Sequence, residues 1–403
     1  MDLARTGQLP WLMLRPRSLD GDEIFQGDFD LLIDGSRFDD ILRTVFLVCQ
    51  QTGVSFVLRQ VAPFKRQIEL LDEQGRRVAL ELWAQAEFQT RSQSGHLSRT
   101  GVDYATCAGL DGSRRDALLA ALFLLHLHHK GKNLQVPLTR ERIDYFAARV
   151  VNEPGLAAAL KGLQAGTLTL DDVHRMAWEF LREQKTPVIA PWRLALRRLG
   201  WHVRGALHWP SWRTTAVVGP DGSGKSALID GIMNGPSGKS FRFQRFKRFF
   251  RRPLFYWFKH EPRNVRDEKL LWLVLPVAWT YFSVSRLFTG WRRPLILDRY
   301  FYDYFVRNVR VGSTEPFRRI AGYGLCTALV PRPRGLIVAT CSVAVIHARK
   351  HEMDEAAIHA IYDMYRDQVV RGGLPMTLFC HTGISLEQSA RHVLAFLGDP
   401  EFA

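Results

Sequence analysis

The stretch TTAVVGPDGSGKSALIDGI, Thr214–Ile232, joins a short apolar run to a glycine-rich loop and then to an apolar-periodic segment. The apolar run is typical of a buried strand, and the periodic segment is typical of a helix. Between them Gly219, Gly224, Lys225 and Ser226 meet the pattern G-x-x-x-x-G-K-S. Glycines let the backbone turn so that successive N–H groups point inward, and a helix N-terminus adds positive partial charge. The stretch therefore predicts a cradle for nucleotide phosphates.

Each residue type in this loop has a chemical task. The ammonium of Lys225 is expected to reach the β- and γ-phosphates, and the hydroxyl of Ser226 is expected to bind Mg²⁺. The competing interpretation is an ordinary glycine turn between a strand and a helix. The nucleotide interpretation assigns the loop to Gly219, Pro220, Asp221, Gly222, Ser223, Gly224, Lys225 and Ser226.

A second motif lies in RPLILDRYFYDYF, where Asp298 ends an apolar strand and precedes Arg299. Ligands of open α/β sheets bind beyond the carboxyl ends of the strands, so Asp298 is expected beside the glycine loop. There its carboxylate can hold Mg²⁺ or take the proton of an acceptor, and the guanidinium of Arg299 can grip a phosphate. An Asp–Arg ion pair that only caps the strand is the alternative.

The C-terminal half alternates between two kinds of segment. Helical patterns such as EAAIHAIYDMYRDQVV and LEQSARHVLAFL separate the strand candidates TTAVVG, RPLILD, GLIVAT and MTLFCHT. This alternation predicts an α/β fold with a parallel sheet covered by helices on both faces.

The loop GPDGSGKS followed by the tripeptide DRY resembles the thymidylate kinase group of P-loop kinases, over the C-terminal half of the chain. The resemblance implies ATP·Mg²⁺ as the phosphoryl donor and a phosphate or hydroxyl group as the acceptor. It implies that Lys225 and Ser226 hold the nucleotide and that Asp298 holds the metal or the acceptor. Arg299 and Asp221 are implied to approach the acceptor.

The segment HARKHEMDEAAI stands where this family has its flexible lid. The resemblance makes Arg349 and Lys350 candidates to cover the transferring phosphoryl group, because cations stabilise the charge that develops there. A solvated helix start is the alternative. The strand GLIVATCSVAV lacks the Asp that usually follows it in thymidylate kinases, so dTMP is not the expected acceptor.

The segment from residue 239 to 266 holds ten Lys or Arg, nine aromatic residues and one acid, Glu261. In kinases of this type this part of the chain binds the acceptor, so the charge favours an anionic glycan or nucleotide. Single-stranded nucleic acid also fits basic residues interleaved with aromatics, and so does an anionic membrane surface. The alternative is a basic helix that packs its phenylalanines, at positions 243, 246 and 250, inward.

Acidic residues are paired near the N-terminus, in QGDFDLLID. Asp28 and Asp30 share one side of a strand, and Glu81 lies on a later strand. Three carboxylates on neighbouring strands are the arrangement that two-metal nucleotidyl transfer uses. The segment D-x-D-L-L-x resembles the minimal nucleotidyltransferase fold over residues 8–110, which implies a metal site at these three acids. The Gly-Ser pair that precedes the acids in that family is absent, so a non-catalytic domain is the alternative.

The chain of 403 residues is predicted to comprise a smaller α+β nucleotidyltransferase-like domain (1–110), a helical segment and linker (111–200), and a thymidylate kinase-like P-loop domain (201–403). SRRDALLAALFLLHLHH opens the helical segment with a serine cap candidate. Its histidines 126, 128 and 129 indicate a polar helix end rather than a metal site. Residues 191–212 are basic and Trp-rich and indicate a connector.

The composition bounds the location and the partners. The net charge of +15 favours phosphates, nucleic acid or an acidic membrane face. Five scattered cysteines without a CxxC pair indicate a reducing cytoplasm, and the N-terminus lacks the apolar core of a signal peptide. The uncharged run Leu270–Ser285 contains Pro276 and is short for a membrane span, so a buried helix is expected.

The combination of the two domains resembles accessory enzymes of bacterial surface-polysaccharide synthesis. It implies a kinase that passes the γ-phosphoryl group of ATP to a sugar or glycan acceptor, in the cytoplasm or at the inner membrane face. Two other classes stay open. One is a nucleic-acid-binding ATPase or polynucleotide end kinase, and the other is a non-catalytic ATP-binding scaffold.

Overall fold

The structure, a computed structural model, describes residues 11–14, 28–72, 76–91, 97–235, 238–245, 267–289, 293–303, 323–350, 353–372, 374 and 376–398. It is an α/β protein with a large, mostly parallel mixed sheet flanked by helices, which confirms the predicted class. The chain forms two compact units. The first unit takes its described residues from Met1–Ile41, Ala62–Gln67 and Val78–Trp201, and the second from Leu42–Val61, Ile68–Arg77 and His202–Ala403.

The strands, in chain order, are β1 (Trp11–Met13), β2 (Asp28–Ile33), β3 (Ser55–Ala62), β4 (Lys65–Leu71), β5 (Arg77–Trp83), β6 (Gln85–Arg91), β7 (Leu97–Asp103), β8 (Thr214–Val218), β9 (Arg242–Arg245), β10 (Leu295–Asp298), β11 (Gly335–Thr340) and β12 (Met376–His381). The helices are α1 (Phe38–Thr52), α2 (Tyr104–Ala108), α3 (Gly112–Lys130), α4 (Pro137–Ala147), α5 (Pro154–Ala165), α6 (Leu170–Glu183), α7 (Pro191–Leu207), α8 (Lys225–Asn234), α9 (Asp267–Thr289), α10 (Tyr323–Leu329), α11 (Val343–Arg349), α12 (Glu355–Gly372) and α13 (Leu386–Leu397).

In the first unit, β2 runs parallel to β5 and antiparallel to β1, while β6 and β7 form an antiparallel pair. The long apolar helix α3 lies in the core of this unit, with Leu118 to Leu125 buried throughout. The predicted serine cap of α3 is wrong. Asp111 is the N-cap, because its carboxylate accepts a hydrogen bond from the backbone N–H of Arg114 and a charged oxygen satisfies that N–H well.

In the second unit, the strand order is β3-β12-β11-β8-β10-β9. All pairings among β8 to β12 are parallel, and the four strand candidates of the C-terminal half are confirmed. Strand β3 comes from the first quarter of the chain and pairs antiparallel with β12. Stacking of the Phe56 and Phe379 rings, whose centroids lie 4.5 Å apart, helps to fix this pairing.

The central strands of the second unit are buried on both faces. Every residue of β8, β11 and β12 is buried, as expected for parallel strands that helices cover on both sides. Helices α8 and α13 cover one face with Leu228, Ile229, Val393 and Phe396. The second unit therefore holds strand β8 and the loop after it on a rigid support.

Two other sequence expectations have outcomes here. The run Leu270–Ser285 lies in helix α9, as predicted, but the helix is only partly buried: Ala278, Tyr281 and Phe282 are buried, whereas Trp272 and Val284 are exposed. Among the residues described, no helix is both long enough and apolar enough to cross a membrane. The helical interpretation of the basic segment is wrong at its start, because Arg242–Arg245 pair with β10 as strand β9; residues 246–266 lie outside the described residues.

His208 is a buried histidine in the turn that leads into β8. Its Nδ1 accepts a hydrogen bond from the backbone N–H of Arg332, at 3.3 Å. Burial, and then the nearby charge of Arg332, lower the pKa of His208 to about 3. The imidazole is therefore neutral in the folded protein at pH values where the unfolded chain binds a proton.

Acid should destabilise the second unit through His208. Because the folded pKa lies below the unfolded value near 6.5, this group's contribution to stability is lost as pH falls from about 6.5 toward 3, by up to about 1.4 kcal/mol per pH unit. The variant His208→Gln cannot take the proton and should lose that part of the pH dependence. Urea midpoints of both proteins from pH 7 to pH 4 measure the difference. If the urea midpoints of the two proteins fell equally with pH, His208 would not be the cause, since the buried histidines His381 and His392 are present in both.

Candidate functional site

The glycine loop after β8 has a backbone that only glycine adopts readily. Gly219, Gly222 and Gly224 have φ values of 146°, 88° and 84°, in the region that side chains disfavour. Space is also missing at Gly219, where an added Cβ would lie 2.7 Å from the carbonyl oxygen of Ala339 and 2.8 Å from Oγ of Ser223. The loop can therefore curl tightly at these positions and present its backbone to a ligand.

Helix α8 begins at Lys225, directly after the left-handed Gly224. The Lys225 side chain is buried, and its Nζ donates to the carbonyl oxygens of Gly219 at 2.7 Å and Pro220 at 2.6 Å. Burial, with a smaller contribution from Arg299, lowers the pKa of Lys225 to about 8, although nearby carboxylates oppose the shift. The loop thus encloses an ammonium group that neutral oxygens hold.

Two more of the predicted residues meet at this loop. Nη2 of Arg299 lies 2.7 Å from Oδ1 of Asp221, and Nζ of Lys225 lies 3.7 Å from the same oxygen. The guanidinium of Arg299 therefore pairs with a carboxylate inside the loop. Arg299 itself has a left-handed backbone, with φ at 77°, as do Lys185 and Arg213 elsewhere. Strained residues of this kind cluster at active sites and ligand clamps.

The predicted metal ligands Asp298 and Ser226 lie on neighbouring elements. Asp298 ends β10 opposite Val217 of β8, and its charge acts to raise the pKa of Lys225. Ser226 is exposed in the first turn of α8. In the described part of the chain no group of three or more His, Cys, Asp or Glu is arranged to hold a metal ion. A metal at Asp298 and Ser226 stays a prediction.

Asp303 and Tyr365 extend this cluster, and the sequence did not point to either. The hydroxyl of Tyr365 donates to Oδ1 of Asp303 at 2.5 Å. Burial raises the pKa of Asp303, and the charge of Arg299 opposes that rise. Burial alone would lower the pKa of Arg299, but the charges of Asp303 and Asp221 outweigh burial and raise it. The charge of Asp303 therefore stabilises the charged form of the Arg299 guanidinium.

Arg349 ends helix α11 and contacts the far side of the loop. Its Nη2 donates to the carbonyl oxygen of Thr382 at 3.0 Å, and its Nη1 lies 3.1 Å from where a Cβ of Gly224 would stand. Thr382 in turn donates its hydroxyl to the carbonyl oxygen of Ser223 at 2.6 Å. Arg349 is at a helix end, not at the helix start of the alternative interpretation, and its lid role stays a prediction.

The first unit brings its carboxylates onto neighbouring strands. Asp30 is directly opposite Glu81 in the parallel pair of β2 and β5, and Asp28 is opposite Ala79. Asp30 is buried and accepts a hydrogen bond from Nε1 of Trp83 at 3.2 Å, whereas Asp28 is exposed. The three acids therefore share a face as predicted, but among the described residues no three His, Cys, Asp or Glu, these acids included, are arranged to hold a metal ion. A metal at these acids stays a prediction.

A lysine already neutralises one of these acids. Nζ of Lys65 lies 2.5 Å from Oε1 of Glu81 and 4.4 Å from the centroid of the Trp83 ring. Nothing in the sequence pattern singles out Lys65, because it comes from a different strand, β4. A divalent ion at Glu81 would have to displace or repel this ammonium.

The histidines of α3 lie at its C-terminal end, as predicted for a polar helix end. His128 and His129 stand in the last turn. Nε2 of His128 lies 2.9 Å from Oδ1 of Asp171, and its ring lies 4.2 Å from the ring of His174. These contacts join α3 to α6, and the acid comes from a helix that the sequence alone did not connect with the histidines.

No protein-family model matches the chain, and no curated protein matches it.

Breaking the Lys65–Glu81 pair should destabilise the first unit. The variant Lys65→Met keeps the aliphatic packing but leaves a largely buried carboxylate without its cation, which should cost about 3 kcal/mol or more. Urea denaturation, with hydrogen exchange of the amides of β5, measures the loss. The double variant Lys65→Met/Glu81→Gln should recover most of it.

Added Mg²⁺ tests whether Asp28, Asp30 and Glu81 form a metal site or whether Glu81 serves only in its ion pair with Lys65. If Mg²⁺ slows exchange in β2 and β5 of the unaltered protein, the carboxylates bind metal beside the lysine. An equally stable Lys65→Met protein would show that the ion pair contributes nothing.

Proposed function

We propose that the second unit is an ATP-dependent kinase of the P-loop class, which transfers the γ-phosphoryl group of ATP to an anionic sugar or glycan acceptor. One observation carries the proposal: the ammonium of Lys225 lies inside a glycine loop at the carboxyl end of β8, beside the Arg299 guanidinium. A buried cation in a ring of backbone groups fits the triphosphate of a nucleotide.

The loop residues fit this nucleotide. Phosphate oxygens would replace the carbonyl oxygens of Gly219 and Pro220 as acceptors for Lys225, and the new hydrogen bonds would join two charged groups. The hydroxyl of Ser226 and the carboxylate of Asp298 are hard oxygen ligands of the kind that Mg²⁺ prefers. When bound there, Mg²⁺ would neutralise charge on the phosphate oxygens.

The cations around Asp298 support an anionic acceptor. Arg299 follows Asp298 directly in the sequence. Arg245 of the neighbouring strand β9 is the register partner of Asp298. Ligands of such sheets bind at the carboxyl ends of the strands, so both guanidinium groups belong to the edge where an acceptor must sit. In this proposal Asp298 would hold Mg²⁺ or, as the alternative, accept the proton of an attacking hydroxyl group, and Arg299 would orient the acceptor.

The other two classes of function have less support. A nucleic-acid-binding ATPase or end kinase depends on the basic aromatic segment, of which residues 246–266 lie outside the described residues. A non-catalytic ATP-binding scaffold uses the same loop and differs only in that ATP is never consumed. A role in surface-polysaccharide synthesis depends on the resemblance of the two-domain arrangement.

The kinase proposal predicts a loss of phosphoryl transfer in Lys225→Met. This variant keeps the aliphatic stem and removes the ammonium, so transfer should fall by at least about a hundredfold. The assay incubates purified protein with γ-labelled ATP and heat-treated cell extract fractions and follows the label. Lys161→Ala, at an exposed lysine of α5, is the matched control and should keep full activity.

Three outcomes of this assay distinguish the classes. Label that moves to a small anionic carbohydrate supports the proposal, and label on the ends of added single-stranded DNA or RNA supports the polynucleotide kinase. Protein that binds ATP but transfers label to no fraction is a scaffold. Full transfer by Lys225→Met would show that the phosphate site lies elsewhere.

ATP affinity should also depend on pH through Lys225. Because the pKa of this lysine is about 8 in the free protein, bound phosphates must restore its proton at higher pH. Affinity should therefore fall above pH 8, by up to about tenfold per pH unit. Calorimetric titration with ATP at pH 7, 8 and 9 measures the trend and the proton uptake. The variant Lys225→Met should bind ATP weakly at every pH. If its ATP affinity also fell above pH 8, Lys225 would not be the cause of the pH dependence.

A further inference from the structure

Helix α7 exposes a continuous apolar stripe. Its members recur at spacings of three and four residues, so they lie on one face of the helix. Between 41% and 60% of each of these side chains is exposed: Trp192, Leu196, Leu199, Val203 and Leu207. The stripe belongs to a single helix, so helical geometry alone holds its members together.

The stripe is not ordinary scatter of apolar residues over a surface. Eight of the nineteen large hydrophobic side chains that are exposed in the described part of the chain lie between residues 192 and 212. Five of the eight form the stripe, Trp201 lies on the opposite face of α7, and Trp209 and Trp212 follow within five residues of the end of the helix. Contiguous exposed apolar surface of this kind marks an interaction site.

The sides of the stripe are cationic. Helix α7 contains four arginines and no acid. Arg193 and Arg204 are exposed and lie next to the stripe, on the same flank. The guanidinium of Arg193 lies 5.2 Å from the centroid of the Trp192 ring. Long arginine side chains can keep their charge at a polar boundary while their stems lie along apolar surface.

The first part of α7 belongs to the first unit, which ends at Trp201, and it is attached there by the face opposite the stripe. Leu194 is buried. Nη1 of Arg197 donates to Oε1 of Gln85 at 2.8 Å, and Nη2 of Arg198 lies 2.6 Å from Oε2 of Glu87. These contacts fasten the helix to β6 and leave Trp192, Leu196 and Leu199 directed away from that strand.

We propose that α7 lies in the surface of an anionic lipid bilayer. The stripe would enter the boundary between headgroups and acyl chains, and Arg193 and Arg204 would contact anionic headgroups, which is how basic amphipathic helices bind membranes. Tryptophan at the start of the stripe suits the same boundary. The stripe shares no residue with the phosphate loop, and this proposal does not rest on the proposed kinase function.

Charge distinguishes a bilayer from a second copy of the chain. If two α7 stripes packed on each other, the flanking arginines of both copies would come together without an acid on either helix, and like charges across an interface are unfavourable. Anionic headgroups satisfy the apolar stripe and its cationic flank at once.

Vesicle sedimentation with the full-length protein tests the proposal. The protein should sediment with vesicles in which a third of the lipid is phosphatidylglycerol and much less with phosphatidylcholine alone, and high salt should weaken binding. The double variant Leu196→Glu/Leu199→Glu should lower the partition coefficient at least about tenfold. Arg193→Gln/Arg204→Gln should lower it about thirtyfold on anionic vesicles only.

A matched control and a depth measurement accompany these variants. Val151→Glu changes an exposed apolar residue of the first unit off the stripe and should leave binding unchanged. Quenching of tryptophan fluorescence by brominated lipids should fall in Trp192→Phe, because that indole is expected at the acyl boundary.

Three results would overturn the proposal. They are a protein that ignores anionic vesicles, stripe variants that bind as well as the unaltered protein, and a solution dimer that Leu196→Glu/Leu199→Glu dissociates while vesicle binding is unchanged. The second would assign membrane binding to another segment, and the third would assign the stripe to a second copy of the chain.

Discussion

The hydrogen bonds from Lys225 to the carbonyl oxygens of Gly219 and Pro220 are the constraint on which the second unit's site depends. They require a loop that curls round its own lysine, and only glycine at 219 fits the backbone and the space beside Ala339. They also require a fixed support, which the buried parallel strands provide. Because β8 lies between β11 and β10, Asp298 and Arg299 at the end of β10 lie beside the loop. Thr382 follows β12, one strand beyond β11, and its hydroxyl donates to the carbonyl oxygen of Ser223.

The support of that loop includes residues that lie far away in the sequence. Strand β3 covers the edge of β12, and the hydroxyl of Ser55 contacts both the backbone N–H of His381 and Nδ1 of His392 at 3.0 Å. Gln50 donates to the carbonyl oxygen of Cys341, the residue after β11. A sheet edge left open invites pairing with other chains, so these N-terminal residues complete the second unit rather than merely precede it.

Local sequence signals made part of the fold and of the site predictable. Four apolar runs bounded by turn residues gave β8, β10, β11 and β12, and the glycine spacing located the loop, because strand and turn propensities act over a few neighbouring residues. The sequence did not predict the roles of Lys65, Asp303 and Tyr365, because the partner of each lies far from it in the chain. Asp303 offered the one usable sign, a charge inside the aromatic run YFYDYF. The cap of α3 was missed because Asp111 and Ser113, two positions apart, are both of residue types that favour the N-cap.

Each unit has a lysine near a carboxylate, partly buried in the first unit and buried in the second. The difference between the two lysines is the reason why we propose the nucleotide site in the second unit. Lys65 donates to a charged oxygen of Glu81 and lies over an aromatic ring. A phosphate would have to replace an anion that already satisfies this ammonium, so the exchange gains little. Lys225 donates to neutral carbonyl oxygens, and Asp221 stands 3.7 Å away, engaged by Arg299. Exchange of neutral acceptors for charged phosphate oxygens strengthens each hydrogen bond, so only the second lysine is poised to gain from a polyphosphate.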